Sequence, residues 1–180
     1  MNLNGSETEK NLLRAFAGES RARNRYQFYA EKARIEGYEW IARIFEETAE
    51  NEFAHAREIY VKYLKMIEPT LQNLYNSAMG EKDEYEIMYK RFEDEARKEG
   101  FLEIAEFFKE LRDVEEEHSK GFLEIYKNLK SGNIYKKDKE CTWKCLNCGY
   151  IYEGNKAPEK CPLCKYSKNY YKRYCDLDKE

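Results

Sequence analysis

Each of the two histidines in this chain follows a glutamate by three residues. Glu52 precedes His55, and Glu115 precedes His118. Residues three apart on a helix share one face, so the carboxylate and the imidazole of each pair can bind one metal ion or two adjacent ions. A single pair of this kind in a glutamate-rich helix is more often solvated surface, but two pairs at related positions favour a metal site.

An internal repeat relates the two pairs. The stretch ARIEGYEWIARIFEETAENEFAH (33–55) aligns without a gap to ARKEGFLEIAEFFKELRDVEEEH (96–118). The repeat predicts two helical halves related by a pseudo-two-fold axis.

Glutamates upstream of each pair complete a larger constellation. Glu19 precedes Glu52 by about as many residues as Glu81 and Glu84 precede Glu115. Antiparallel helices would therefore bring these side chains to one level of the bundle. A glutamate on each of two helices plus Glu-x-x-His on two others is the di-iron pattern of four-helix bundles. Burying such carboxylates without cations would be costly. The candidate iron ligands are Glu19, Glu52, His55, Glu81, Glu84, Glu115 and His118.

Five neighbouring residues need separate interpretations. Glu81 stands beside the expected start of the third helix, where it could instead be a favourable N-terminal charge. Tyr26 and Tyr89 could donate hydrogen bonds to the ligands, or they could be ordinary core aromatics. Glu116 and Glu117 are expected to remain solvated.

All six cysteines follow residue 140, and four of them form the pairs Cys145–Cys148 and Cys161–Cys164. Two Cys-x-x-Cys pairs can close a tetrahedral four-thiolate site, which is a strong metal signal. The spacing alone does not determine which metal binds. A structural zinc ribbon is one interpretation. A neighbouring redox centre favours iron instead, because iron can carry one electron. Cys141 and Cys175 fit neither pair and could be free thiols or neighbours of each other.

Helical periodicity dominates the chain before the cysteines. Ser6 is the predicted N-cap of the first helix, Gly37 and Gly100 predict tight turns, and Pro69 ends the second helix. Residues 68–80 are expected to form a longer connection. The predicted helices span about 6–36, 38–67, 81–99 and 101–129.

These elements predict an all-α, four-helix, ferritin-like bundle followed by a small β/knuckle domain. The expected domains are residues 1–135 and 136–180, joined by a linker at about 131–140. The net charge of −3, with both signs mixed throughout, provides no basic stripe for nucleic acid. The abundance of charged residues argues against a membrane span, and the N-terminal residues show no secretory signal, so we expect a cytoplasmic protein.

The motifs GESRARNRY, ENEFAH, GEKDEYEIMY and EEEH, followed by KCLNCGY and CPLCK, together resemble the rubrerythrin family in content and order. The resemblance covers about residues 7–170 and implies a rubredoxin-like second domain. It implies a non-haem di-iron centre on the seven Glu and His candidates, with one iron on Cys145, Cys148, Cys161 and Cys164. It also implies that Tyr26 and Tyr89 lie beside the ligands, and that one iron exchanges His55 for Glu84 or Glu81.

The resemblance implies a peroxidase that reduces hydrogen peroxide to water in oxidative-stress defence. Electrons would pass through the four-cysteine iron from rubredoxin or an NAD(P)H-dependent reductase, in at least a homodimer. A ferroxidase or oxygen reductase is the enzymatic alternative. A binding protein made of a helical bundle and a zinc ribbon is the alternative from another class. The Tyr- and Lys-rich end, KYSKNYYKRYCDLDKE, departs from the family and bears on where the electron donor docks.

Overall fold

A computed structural model describes residues 3–174 and divides the chain after Glu68 into two compact units. Within residues 3–174, no helix combines the length and the apolar character that crossing a bilayer requires.

The first unit is a hairpin of two helices, α1 (Glu7–Ile35) and α2 (Glu39–Arg57). The Ser6 hydroxyl accepts a hydrogen bond from the Glu9 amide at 3.1 Å, which confirms the predicted N-cap. Gly37 adopts φ of 84°, a conformation that favours glycine, and turns the chain tightly as predicted.

α2 continues as a π-helical segment, Glu58–Tyr63. The helical path therefore ends before Ile67, the predicted limit. Lys65 has φ of 53°, which interrupts the right-handed path ahead of Pro69.

Small side chains form the contact between α1 and α2. Ala30, Ala33 and Ala42 are buried together, with Phe45 packed against them. Because alanine lacks a long side chain, the two backbones can approach closely along this line. The alanine contact therefore fixes the distance between the helices that carry Glu19 and Glu52.

The second unit begins with one helical path made of α3 (Thr70–Asp83), a π-helical segment (Glu84–Met88) and α4 (Tyr89–Glu99). The prediction of a connection over residues 68–80 was wrong, because the helix starts at Thr70. Leu71, Leu74 and Ala78 recur at helical spacing. Ala78 is buried and the two leucines are half-buried, and this packing outweighs the weak helix preference of the polar residues between them.

α5 (Leu102–Lys130) follows a tight turn at Gly100, whose φ is 89°. This turn and the extent of α5 agree with the prediction to within a residue. The buried Ser119 hydroxyl donates a hydrogen bond to the Ala78 carbonyl at 2.8 Å, which joins α5 to α3.

A buried ion-pair cluster joins α4 to α5. The carboxylate of Glu93 binds Arg112 Nη1 at 2.7 Å through one oxygen and Arg97 Nη2 at 3.0 Å through the other. The hydrogen bond from Arg112, opposed by burial and reinforced by Arg97, lowers the pKa of the Glu93 carboxyl.

The C-terminal part is an antiparallel sheet in the order β2-β1-β3, with β1 at Lys136–Cys145, β2 at Ile151–Lys156 and β3 at Tyr171–Arg173. Trp143 is fully buried in its core and donates Nε1–H to the Gly154 carbonyl at 2.9 Å. β1 starts inside the predicted linker, which shortens the connection to residues 131–135. The domain division at residue 135 stays a prediction.

We expect Glu93→Gln to lower the free energy of unfolding by about 1–2 kcal/mol at neutral pH, the scale of a charge-assisted hydrogen bond. The folded-state pKa of Glu93 is lowered from 4.5, so its stabilisation is present above pH 4.5 and is lost as the pH falls through the folded-state pKa. Urea unfolding at several pH values should show the wild-type and E93Q curves converging in acid.

Glu95 offers a matched control on the same helix. It is 62% exposed, so Glu95→Gln should change stability by less than about 0.5 kcal/mol. A stability difference for E93Q that did not vary with pH would contradict the ion-pair explanation.

Candidate metal centres

The α1–α2 hairpin brings Glu19, Glu52 and His55 together. One ligand atom from each lies within 4.8 Å of the others. His55 Nδ1 is 3.0 Å from Glu52 Oε2 and 3.5 Å from Glu19 Oε2. The Glu52 side chain is 18% exposed in this chain and that of His55 is 62% exposed, so the group opens on one side.

The two carboxyls of this group influence each other's pKa. A hydrogen bond to Glu52 is the main cause of the raised pKa of Glu19, and burial adds to it. The same hydrogen bond, followed by that of His55, lowers the pKa of Glu52. The pKa of His55 is raised chiefly by Glu52. The three groups are therefore electrostatically coupled, and a cation bound among them would compete with protons.

A corresponding group in the second unit consists of Glu81, Glu115 and His118, again within 4.8 Å. His118 Nδ1 lies 2.7 Å from Glu115 Oε2, and the Glu115 side chain is only 14% exposed. Burial is the main cause of the raised pKa of Glu81, and the hydrogen bond to Glu115 adds to it. Since α3 starts at Thr70, Glu81 lies in its last turn, and its interpretation as an N-terminal charge is wrong.

Glu84 is the first residue of the π-helical segment Glu84–Met88. Among the residues the structure describes, it is not part of the 4.8 Å group, but its charge raises the pKa of Glu81 and of Tyr89. A π-helical turn inserts a residue and rotates the side chains that follow, and such turns are frequent at functional sites. Glu84 therefore borders the group at a point where the helix geometry changes.

Tyr26 and Tyr89 occupy equivalent positions in the repeat. Tyr26 stacks on Phe45 with ring centroids 6.2 Å apart, and Tyr89 stacks on Phe108 at 6.1 Å. Burial, followed by the charge of Glu84, raises the pKa of Tyr89. The Tyr89 hydroxyl therefore keeps its proton at neutral pH and can donate a hydrogen bond.

The other glutamates of the EEEH motif point elsewhere. Glu116 and Glu117 bind Lys120 at 2.9 and 2.8 Å, and the Glu117 side chain is 72% exposed. The prediction that both remain solvated is confirmed. Glu115 and His118 have a different environment from these two neighbours, as helical spacing requires.

Sequence reasoning missed the cluster of Glu93 and Arg112. The internal repeat contained a signal for it, because these residues occupy the places of Ala30 and Ala49, which are both buried. A charged pair at two positions where the other half has buried alanines indicates an ion pair inside the second unit.

The four knuckle cysteines converge in the C-terminal domain. Their sulfurs lie within 4.8 Å of one another, with Cys145 to Cys164 and Cys148 to Cys161 both at 3.7 Å. A tetrahedral ion with metal–sulfur bonds of about 2.3 Å spaces its sulfurs by about 3.8 Å, so the cage fits such an ion.

The backbone around the cage stabilises thiolates. Burial raises the pKa of the Cys161 thiol, but hydrogen bonds from the Cys164 and Leu163 amides, together with the nearby Tyr171 hydroxyl, lower it to about 6. The Tyr166 amide lowers the pKa of Cys164. Thiolates are the form that binds metal. Tyr171 is a contributor that the Cys-x-x-Cys spacing did not reveal.

The remaining described cysteine, Cys141, is not part of the cage. Cys141 is buried on β1 and is disulfide-bonded. Cys175 lies outside the described residues.

Comparisons with known proteins agree with these sites. The sequence model of the rubrerythrin family matches residues 10–126 and 72–147, and that of the rubrerythrin rubredoxin-like domain matches residues 143–172. The chain is 42% identical to rubrerythrin of Nitratidesulfovibrio vulgaris, covering 94% of this chain and 95% of that protein. It is 40% identical to rubrerythrin of Porphyromonas gingivalis, covering 94% of this chain and 90% of that protein. It is 41% identical to rubrerythrin of Clostridium perfringens, covering 94% of this chain and 95% of that protein.

Cys161→Ser should remove the metal from the four-cysteine cage, because it deletes one buried thiolate. Since metal binding contributes folding energy to such small domains, protease resistance of the β1–β3 sheet should be lost with the metal, while helix content stays constant. Metal analysis, limited proteolysis and circular dichroism would measure these effects. Cys141→Ser, which leaves all four cage sulfurs in place, should retain the metal. Full metal content in C161S would contradict the assignment.

Proposed function

The chain belongs to the rubrerythrin family, and on that premise we propose that it is a peroxidase that reduces hydrogen peroxide to water. The observation that carries the proposal is the presence, in one chain, of two Glu-Glu-His groups and a four-thiolate cage. The groups supply a carboxylate-rich donor set suited to two irons, and the cage suits an ion that carries single electrons.

The donor set fits the cofactors of this family. The neighbouring glutamate and burial both raise the pKa of Glu19 and of Glu81, and a cation bound in each group would offset that repulsion. We assign the two irons to Glu19, Glu52, His55, Glu81, Glu84, Glu115 and His118. We assign the single iron to Cys145, Cys148, Cys161 and Cys164.

The reduction of one peroxide to two waters consumes two electrons and two protons. An iron pair held by the seven assigned Glu and His residues would supply the two electrons, and an iron held by the four cage thiolates would return them one at a time from an external donor. The protein must supply the protons. Tyr89 is the proposed donor in the second unit, because burial and the neighbouring glutamates keep its hydroxyl protonated. Tyr26, its repeat equivalent, is the corresponding candidate in the first unit.

Contacts within the second unit place the sheet at the C-terminal end of α5, away from the Glu-Glu-His group. Arg173 on β3 donates a hydrogen bond to Asn128 near the end of α5 at 3.2 Å, so the sheet lies at that end. His118 lies ten residues earlier, which is about 15 Å along a helix. We infer that a homodimer brings the cage of one chain to the irons of its partner. Rubredoxin or an NAD(P)H-dependent reductase in the cytoplasm is the proposed external donor.

The ligand assignment can be tested within the EEEH motif. Glu115→Gln removes a negative ligand and should weaken ferrous-ion binding at least roughly tenfold. Glu117→Gln changes an exposed glutamate of the same helix and should leave binding unchanged. Anaerobic ferrous-ion titration of both variants would measure the difference. Equal affinities in E115Q and E117Q would contradict the assignment.

The reaction can be tested by mixing the fully reduced protein with peroxide and, separately, with oxygen. We expect peroxide to oxidise it faster, and the visible spectrum of the cage iron to bleach on reduction and recover with peroxide. Faster oxidation by oxygen would indicate a ferroxidase or oxygen reductase. Metal analysis of anaerobically purified protein should give about three irons per chain, whereas one zinc and no colour would indicate a binding protein.

A further inference from the structure

Arg112 contacts two different elements of the second unit. Its Nη1 binds the Glu93 carboxylate on α4 at 2.7 Å, and its Nε donates a hydrogen bond to the Tyr85 carbonyl at 3.2 Å. Arg112 itself lies on α5, one turn before Glu115. One side chain therefore connects the helix that carries Glu115 to the π-helical segment that begins at Glu84.

The contact with Tyr85 falls inside the π-helical segment. In the segment Glu84–Met88 the helical hydrogen bonds span five residues, and the Tyr89 amide bonds to the Glu84 carbonyl. Such turns interrupt the regular ladder, and a side chain that enters there can satisfy a displaced carbonyl. Arg112 stabilises this geometry from the neighbouring helix.

The contact is specific to one arginine. Arg97 also binds Glu93, but its other bond goes to Glu106 at 3.3 Å and not to the π-helical segment. Arg112 also has no equivalent in the first unit, where Ala49 occupies its place in the repeat. The two halves therefore differ in how the helices beside their Glu-Glu-His groups are held.

We propose that Arg112 is a positioning residue for the iron site: its guanidinium holds the π-helical segment against α5 and thereby sets the place of Glu84 and Tyr89 relative to Glu115. This inference rests on the proposed function, because it assigns Glu84 and Glu115 to the same iron pair. Arg112 touches no assigned ligand and acts only through the backbone of Tyr85 and the carboxylate of Glu93.

The test is ferrous-ion titration of the full-length, anaerobic protein, with hydrogen–deuterium exchange of residues 84–90 as a readout that needs no iron. Arg112→Gln should weaken binding of the last ferrous ion roughly tenfold, the scale for residues that orient ligands, and should speed exchange across the segment. Arg112→Lys keeps a positive charge for Glu93 but lacks the Nε donor, so it should not restore binding.

Arg97→Gln is the matched control, since it removes the other arginine from Glu93 and leaves the Tyr85 contact in place. It should bind iron as the wild type does. Equal weakening in R97Q and R112Q, or wild-type binding in R112K, would overturn the positioning role while leaving the proposed function intact. If wild-type protein bound no iron beyond the four-cysteine cage, the proposed function would fail and the positioning role with it.

Discussion

Repulsion between neighbouring carboxylates is the constraint on which the helical part depends. Glu19 lies beside Glu52, and Glu81 beside Glu115, close enough for hydrogen bonding. Two negative charges at that distance are unfavourable unless a proton or a cation lies between them. The packing that holds each pair together must therefore offset this cost, and a cation bound between the carboxylates would remove it.

The two halves meet this requirement in different ways. Ala30 and Ala42 let α1 and α2 approach closely, whereas Glu93 and its two arginines hold α4 to α5 through charge. An alanine contact is insensitive to pH, but an ion pair is lost in acid. The stability of the half that carries Glu84 is therefore more sensitive to pH than that of the other half. The helical path of Glu84 also contains the π-helical turn beside the candidate ligands.

Local signals in the sequence accounted for the features that depend on neighbouring residues. Ser6 capped α1, Gly37 turned the chain, and the Glu-x-x-His and Cys-x-x-Cys spacings identified residues that do converge. Features that depend on tertiary contacts were missed. Residues 70–80 are helical because they pack on α5. No sequence pattern predicts the π-helical turns. The Tyr85 carbonyl that Arg112 binds is twenty-seven residues away in the sequence. The exchange of His55 for Glu84 or Glu81 stays a prediction.

The strand β3 joins the chemistry of the cage to the helices. The Tyr171 hydroxyl lies beside the Cys161 sulfur, and Arg173, two residues later, binds the end of α5. Metal binding supplies much of the folding energy of a small four-cysteine domain, so it also fixes the strand that carries both residues. Loss of the metal would therefore also release the attachment to α5. The three-residue strand thus connects the cage mechanically to the helix that carries Glu115 and His118.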